Sequence, residues 1–314
     1  MFKNEKIFIA GRFGMVGSAI ERELRQNGYT NIVGESHASV DLTNQTAVGN
    51  FFCKEKPEYV FLAAAVVGGI HANNVLPATF IYSNLQIQNN IINVCYTHGV
   101  KKLLFLASSC IYPRMAPQPI SEDALLSGKL EPTNEPYAVA KIAGITMCQS
   151  YNRQYGTDFI SVMPTNLYGP KDNYDTNYSH VLPGMISKIY SAKVMRKDSV
   201  TLWGSGSPMR EFLYVDDLAE ACVFLMNNYS SNDIINIGTG QEISIKRLAY
   251  LIKEIIQFKG SIEFDSSKPD GTPRKLLDVS KINELGWKHK TELIDGIKET
   301  YHAYISGHKK RCVI

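Results

Sequence analysis

The sequence predicts an α/β protein: a Rossmann-type, doubly wound parallel sheet with a smaller, discontinuous C-terminal lobe for substrate. Three observations predict it. Short, near-continuous apolar runs alternate with amphipathic stretches through the first half of the chain, as strands do when helices bury both their faces. A Gly-x-x-Gly-x-x-Gly loop, with Gly11, Gly14 and Gly17, stands between the first apolar run and the first amphipathic stretch. Tyr137 and Lys141 stand four residues apart in a stretch of helical pattern, which places both on one helix face.

In order along the chain, residues 6–10 read as a buried strand, 16–27 as a helix and 31–33 as a short strand. Residues 48–55 are helical and 59–65 a near-continuous apolar strand. A long helix covers 77–98, and 102–108 is another buried strand. Residues 136–155 form a helix with proline in its first turn, followed by a strand at 159–164. Beyond residue 166 proline, glycine, asparagine and tyrosine become common and the alternation loosens. Helices are expected at 181–193, 216–227 and 244–256, with strands at 200–203 and 234–237. The charged, proline- and glycine-rich segment 266–278 reads as a loop. The expected division is a dinucleotide-binding domain at 1–165, with returns near 211–240. Residues 166–210 and 241–314 then form mainly a substrate-binding lobe, with the substrate in the cleft between.

The chain has 314 residues, 44% hydrophobic and 20% charged, enough for a substantial core. Its net charge of +3 is too small to argue for nucleic acid. No apolar run approaches the roughly 18 residues of a membrane span, and the opening residues lack the apolar stretch of a signal peptide. Six cysteines stand at 53, 95, 110, 148, 222 and 312. They form no Cys-x-x-Cys and no zinc spacing. These features lead us to expect a reduced, cytoplasmic protein without a metal site. The basic tail at 308–312 reads as a solvated end.

The loop Gly11, Arg12, Phe13, Gly14, Met15, Val16, Gly17 suits a dinucleotide. Glycines allow a tight turn and close backbone approach, and the helix N-terminus offers free N–H groups to a pyrophosphate. Which dinucleotide is left open. Glu35 stands where NAD sites place an acid, whereas Arg12 or His37 could meet the 2′-phosphate of NADP. Asp41 is either an adenine contact or a helix-capping residue.

Tyr137 with Lys141 suggests proton transfer to a carbonyl oxygen. An ammonium beside a phenol stabilises the phenolate and lowers its pKa. In the run Leu103-Leu104-Phe105-Leu106-Ala107-Ser108-Ser109-Cys110, strand alternation places Ser108 and Cys110 on one face. Ser108 can donate to a substrate carbonyl or to the phenol. Cys110 is either a small core side chain or a chemical group.

Together these residues resemble the extended short-chain dehydrogenase/reductase family, and in particular its members that epimerise and reduce GDP-4-keto-6-deoxy-D-mannose. The likeness runs almost end to end. It rests on Ala64-Ala65-Val66-Val67-Gly68-Gly69-Ile70, Ser108-Ser109-Cys110-Ile111-Tyr112-Pro113, Glu131-Pro132-Thr133-Asn134-Glu135-Pro136-Tyr137 and Met163-Pro164-Thr165-Asn166-Leu167-Tyr168-Gly169-Pro170. Two later stretches carry it as well: Trp203 to Phe212 and Ser267 to Lys275.

The resemblance implies a Ser108, Tyr137 and Lys141 reductase set. It also implies Cys110 and His180 as an acid/base pair that inverts C3″ and C5″, where a C4 ketone acidifies both neighbouring protons. His180 suits the acid role because an ordinary imidazole titrates near neutrality. It further implies cofactor contacts at Asp41, Leu42, Leu106, Pro164, Asn166, Leu167 and His180, with NADP(H) favoured and NAD(H) possible. For the GDP-sugar it implies Lys188, Trp203, Arg210, Asp270 and Lys275. A homodimer is expected, with helices 77–98 and 136–155 of each subunit forming a four-helix bundle.

Three departures stand against the family pattern. Arg12 comes one place early in the glycine loop, with Phe13 at the arginine position. Gly34-Glu35-Ser36-His37 replaces the basic cluster after the second strand. Lys188 replaces an arginine. A C4-reductase of a related GDP-4-keto sugar, such as a heptose, is therefore the neighbouring alternative. A non-catalytic dinucleotide-binding regulator is the alternative of another class, although it would not need the Ser/Tyr/Lys set.

Overall fold

The computed structural model describes residues 1–175 and 178–311, with side chains of the last helix described through residue 307. Cys312 and the side chains of the basic tail lie outside the described residues. The first half runs β1 (Ile7–Ala10), α1 (Met15–Gln26), β2 (Ile32–Val33), α2 (Gln45–Glu55), β3 (Tyr59–Leu62), α3 (Ile70–Val75), α4 (Pro77–Thr97), β4 (Lys102–Leu106), α5 (Glu135–Tyr155) and β5 (Phe159–Pro164). It continues with β6 (Asn166–Tyr168), α6 (Val181–Val194), β7 (Ser199–Trp203), β8 (Met209–Arg210), β9 (Phe212–Tyr214), α7 (Val215–Asn228) and β10 (Ile235–Ile237). The last elements are β11 (Ile243–Ser244), α8 (Ile245–Ile256), β12 (Ser261–Asp265), β13 (Arg274–Lys275), α9 (Ser280–Glu284) and α10 (Leu293–Arg311).

Six strands form one sheet in the order β2-β1-β3-β4-β5-β10, and every pairing is parallel. Alternation along each strand feeds two cores. Ile7 and Ile9 of β1 face Ile20 and Leu24 of α1 and Leu218 and Leu225 of α7. Phe8 and Ala10 face Phe52 of α2, Ile91 of α4 and Ile145 of α5. Helices therefore cover both faces, which explains the near-continuous apolar runs. The strand order reverses between β1 and β3, the point where such sheets open a crevice at their C-terminal ends.

A third apolar cluster lies apart from this sheet. It is built on Ile186 and Ile189 of α6, Leu202 of β7, Leu248 and Ile252 of α8, and Ile297 of α10. Beside it sit three small sheets: β11-β8-β13, β12-β7 and β6-β9. Among the described residues no helix is long and apolar enough to cross a membrane.

Most expected elements are present, with shifted ends. Two differences affect the site. The strand expected to run to Ser108 stops at Leu106, and Ser109–Ile111 forms one 3-10 turn. Strand alternation therefore does not set the relation of Ser108 to Cys110. Ser108 caps that turn, its Oγ accepting the Cys110 N–H at 3.2 Å. The expected loop 266–278 contains β13, which pairs with β8. Helices α3, α9 and α10 carry no expectation from the sequence.

Candidate active site

The glycine loop forms a cradle at the switch point. Gly11 has φ of 84°, and a side chain there would press on the Ala64 backbone at 3.0 Å, where the chain leaves β3. A Cβ on Gly17 would collide with the Gly11 carbonyl and the Arg12 Cα, so only glycine lets α1 start this close to β1. No side chain caps α1 and no acid occupies its first turn. Its first N–H groups and its dipole are left for an anion. These features fit the pyrophosphate of a dinucleotide.

Other expected cofactor residues divide. Leu42 lines a small notch with Glu35, Val40 and Gly11 at the ends of β1 and β2. Asp41 Oδ1 instead accepts the backbone N–H and the hydroxyl of Thr43, at 2.9 and 2.8 Å, closing the turn before α2. Arg12 is held by Glu21 through two 2.7 Å hydrogen bonds, which with Arg25 keep that carboxyl down at about 2. Phe13 is exposed and Val16 half-buried. Met15, Pro164, Asn166 and Leu167 line the main cleft.

That cleft has a volume of about 850 Å³, within the range of small-molecule sites. It brings together Ser108, Cys110, Tyr137, His180, Lys188, Trp203, Arg210, Asp270 and Lys275. Lys141 lies just behind. It is buried, its Nζ donates to the Leu106 carbonyl at 2.8 Å, and it stands 4.8 Å from the Phe105 ring centre and 5.8 Å from that of Tyr137.

The electrostatics correct one expectation. The Tyr137 phenol is not lowered toward working pH. Burial raises its pKa and the nearby Cys110 charge raises it further, against a smaller opposing effect of the Ser108 hydroxyl. Burial also pushes Lys141 down to about 7, which weakens the ammonium that was to stabilise a phenolate. Tyr137 therefore keeps its proton at neutral pH, the state that a proton donor needs.

Cys110 shows the opposite balance. Burial would raise its pKa, but Lys275, Ser108 and Arg210 outweigh burial and lower it. Lys275 Nζ donates to Sγ at 3.3 Å. This is the environment of a reactive thiolate, not of an inert core cysteine such as Cys148, which burial pushes up to about 12. His180 stands at the N-cap of α6 with its side chain making no cap bond. Its ring is open to the cleft and walled by protein beyond. Burial first, and then Lys275, lower its pKa, so the imidazole is neutral at pH 7 when the cleft holds no anion. The near-neutral acid expected from the sequence is thus shifted downward by its surroundings.

Arg210 and Lys275 face each other in register across β8 and β13. Two neighbouring cations repel unless an anion joins them, so this wall suits a diphosphate. Trp203 is 44% exposed, which excludes core packing as its role. Lys188 Nζ stands 4.7 Å and Lys268 Nζ 5.9 Å from its ring centre. Asp270 is committed elsewhere: Oδ1 accepts the Ser205 N–H and Oδ2 the Ser205 hydroxyl, both at 2.8 Å. It ties loop to loop.

Sequence reasoning missed His71, whose ring centre is 6.1 Å from that of Trp203, and buried Glu131, which accepts from Thr133 and pairs with Arg114. Lys268 was missed too. All three lie in or beside the stretches that carried the resemblance, but nothing in their spacing marks them as cleft residues.

The chain matches the NAD dependent epimerase/dehydratase family over residues 7–238. It is 59% identical over 305 residues to GDP-L-fucose synthase 1 of Arabidopsis thaliana, covering 97% of this chain and 94% of that protein. It is 50% identical over 312 residues to the GDP-L-fucose synthase of Escherichia coli K12, covering 96% and 97%. Among solved structures it is similar to a GDP-mannoheptose C4 reductase from Campylobacter jejuni with NADP bound. The TM-score is 0.89, at 43% identity and with 97% and 99% of the two chains covered.

Proposed function

The chain belongs to the NAD dependent epimerase/dehydratase family, and we propose that it converts GDP-4-keto-6-deoxy-D-mannose to GDP-L-fucose. It inverts C3″ and C5″ and then reduces C4″, using an NAD(P) cofactor. The observation that carries this reading is one cleft holding two chemical sets: Ser108 and Tyr137, with Lys141 buried just behind, and Cys110 with His180. The names of close relatives support the substrate.

The residues act as follows. The Cys110 thiolate takes the proton from a carbon beside the ketone, and His180 returns one to the opposite face. Burial is the main cause of the lowered His180 pKa; a diphosphate between Arg210 and Lys275 offsets the lesser cause, Lys275, and so favours the protonated imidazolium that can give a proton. Ser108 orients the C4″ oxygen, Tyr137 protonates it, and Lys141 holds the nicotinamide ribose. The cofactor, when bound, supplies the hydride. Trp203 and Lys188 hold the nucleotide end.

We read the cofactor as NADPH. Arg12 at the loop is the cation for the 2′-phosphate, held in place by Glu21, and the similar C4 reductase carries NADP. The reading further includes a dinucleotide-binding domain at 1–165, a substrate lobe built mainly from later residues, and a cytoplasmic location. It also includes a homodimer. Helices α4 and α5 pack together and leave Tyr82, Tyr96, Val139 and Tyr155 exposed. Sedimentation at micromolar concentration should give the dimer mass, and a monomer would remove this part of the proposal.

A second reading, C4 reduction of a GDP-4-keto-heptose without epimerisation, is favoured by the likeness to the Campylobacter jejuni enzyme. One experiment separates the two. Incubation of the protein with GDP-4-keto-6-deoxy-D-mannose in deuterated water, without nicotinamide, should label both C3″ and C5″. Turnover of a panel of GDP-4-keto sugars with NADPH or NADH, with products identified by NMR, then ranks substrates and cofactors. Absence of label together with preferred turnover of the heptose would establish the second reading.

A further inference from the structure

Glu211 follows Arg210 in the chain and is fully buried. Backbone groups meet its charge. Oε1 accepts the N–H of Thr239 at 2.6 Å and of Gly240 at 2.7 Å, and Oε2 accepts that of Leu277 at 3.0 Å. Its own carbonyl accepts from the Thr165 hydroxyl at 3.3 Å and from Asn166 Nδ2 at 2.7 Å.

One residue therefore joins four segments. They are β8 with Arg210, the turn after β10, the chain leaving β13 two residues past Lys275, and the β5 to β6 junction. Thr165 and Asn166 at that junction line the cleft. The wall that carries Arg210 and Lys275 needs such a peg. β8 and β13 are two residues each, far too short to hold their own register.

We propose that Glu211 is a positioning residue for the nucleotide-sugar. Its carboxylate pins the Arg210 and Lys275 wall to the end of the parallel sheet and so holds the diphosphate grip in shape. This rests on the function proposed above. Glu211 is fully buried and does not line the cleft.

Glu211→Gln keeps the size of the side chain. Whichever way its amide turns, one end puts N–H against N–H. Gly238→Ala is an independent second variant, because a Cβ at Gly238 would press on Glu211 Oε1 and displace it. In both, the KM for GDP-4-keto-6-deoxy-D-mannose and the Kd for GDP should rise about tenfold. The Kd for NADPH and kcat at saturation should stay within about twofold of wild type.

Unchanged GDP affinity in either folded variant overturns the proposal. So does an equal loss of NADPH and GDP affinity, or a lower unfolding midpoint with GDP affinity intact, since each describes a merely structural residue. If wild type does not turn over the GDP-4-keto sugar, the functional reading fails. The GDP and NADPH affinities then still decide the role of Glu211.

Discussion

Tyr137→Phe should slow C4″ reduction by about 10²–10⁴-fold, the usual value of one well-placed general acid, while solvent exchange at C3″ and C5″ continues near the wild-type rate. The substitution removes only the phenol oxygen. The ring keeps its edge contact with Phe80, 6.4 Å between centres, so the fold and the cleft wall should persist. Burial and the Cys110 charge keep the phenol protonated, and in the proposed mechanism it gives that proton as the hydride arrives. In the proposed mechanism exchange runs through Cys110 and His180 and does not need the phenol. NADPH oxidation followed by absorbance reads the first activity, and deuterium incorporation reads the second. Normal turnover would remove Tyr137 as the donor. Loss of both activities would mean that it holds substrate instead.

Cys110→Ser should show the reverse pattern. A serine hydroxyl has far too high a pKa to act as the base, so label at C3″ and C5″ should fall by at least about 10²-fold. Reduction should continue and yield the alcohol without inversion. The wild-type exchange rate should also carry the signature of a tuned thiolate. Because Lys275, Ser108 and Arg210 together lower the Cys110 pKa against burial, the base is present at pH values below the ordinary thiol value of 9.0 and is lost as pH falls through the lowered pKa. The acid limb of the exchange profile should therefore lie below 9.0. In Lys275→Met burial is left less opposed, and that limb should move upward. A limb at or above 9.0 in wild type, or one unmoved by Lys275→Met, would show that Lys275 does not set the thiol.

Much of the fold could be read along the chain because it is written in short-range periodicity. Apolar runs such as Tyr59–Leu62 and Phe159–Pro164 mark strands buried on both faces. Three glycines in seven residues mark the tight entry to α1, and the absence of Cβ space at Gly17 explains why nothing else fits there. Boundaries were less legible. A strand was expected through Ser108 because Ala107 and Ser108 fit the pattern, but the Ser108 side chain caps a 3-10 turn at that point. The strand β13 was hidden because two residues in a polar, proline-containing segment carry no period.

The class of sheet, the glycine cradle and the placing of Tyr137 and Lys141 on one helix face follow from the sequence alone, because each depends on neighbours within a few residues. What those groups do chemically does not. The strongest influence lowering the Cys110 pKa against burial comes from Lys275, 165 residues away in the chain. The protonated state of Tyr137 comes from burial, and the pairing of Arg210 with Lys275 comes from a two-residue register between β8 and β13. Charge and desolvation act through space rather than along the chain, so only the folded protein decides which groups give protons and which take them.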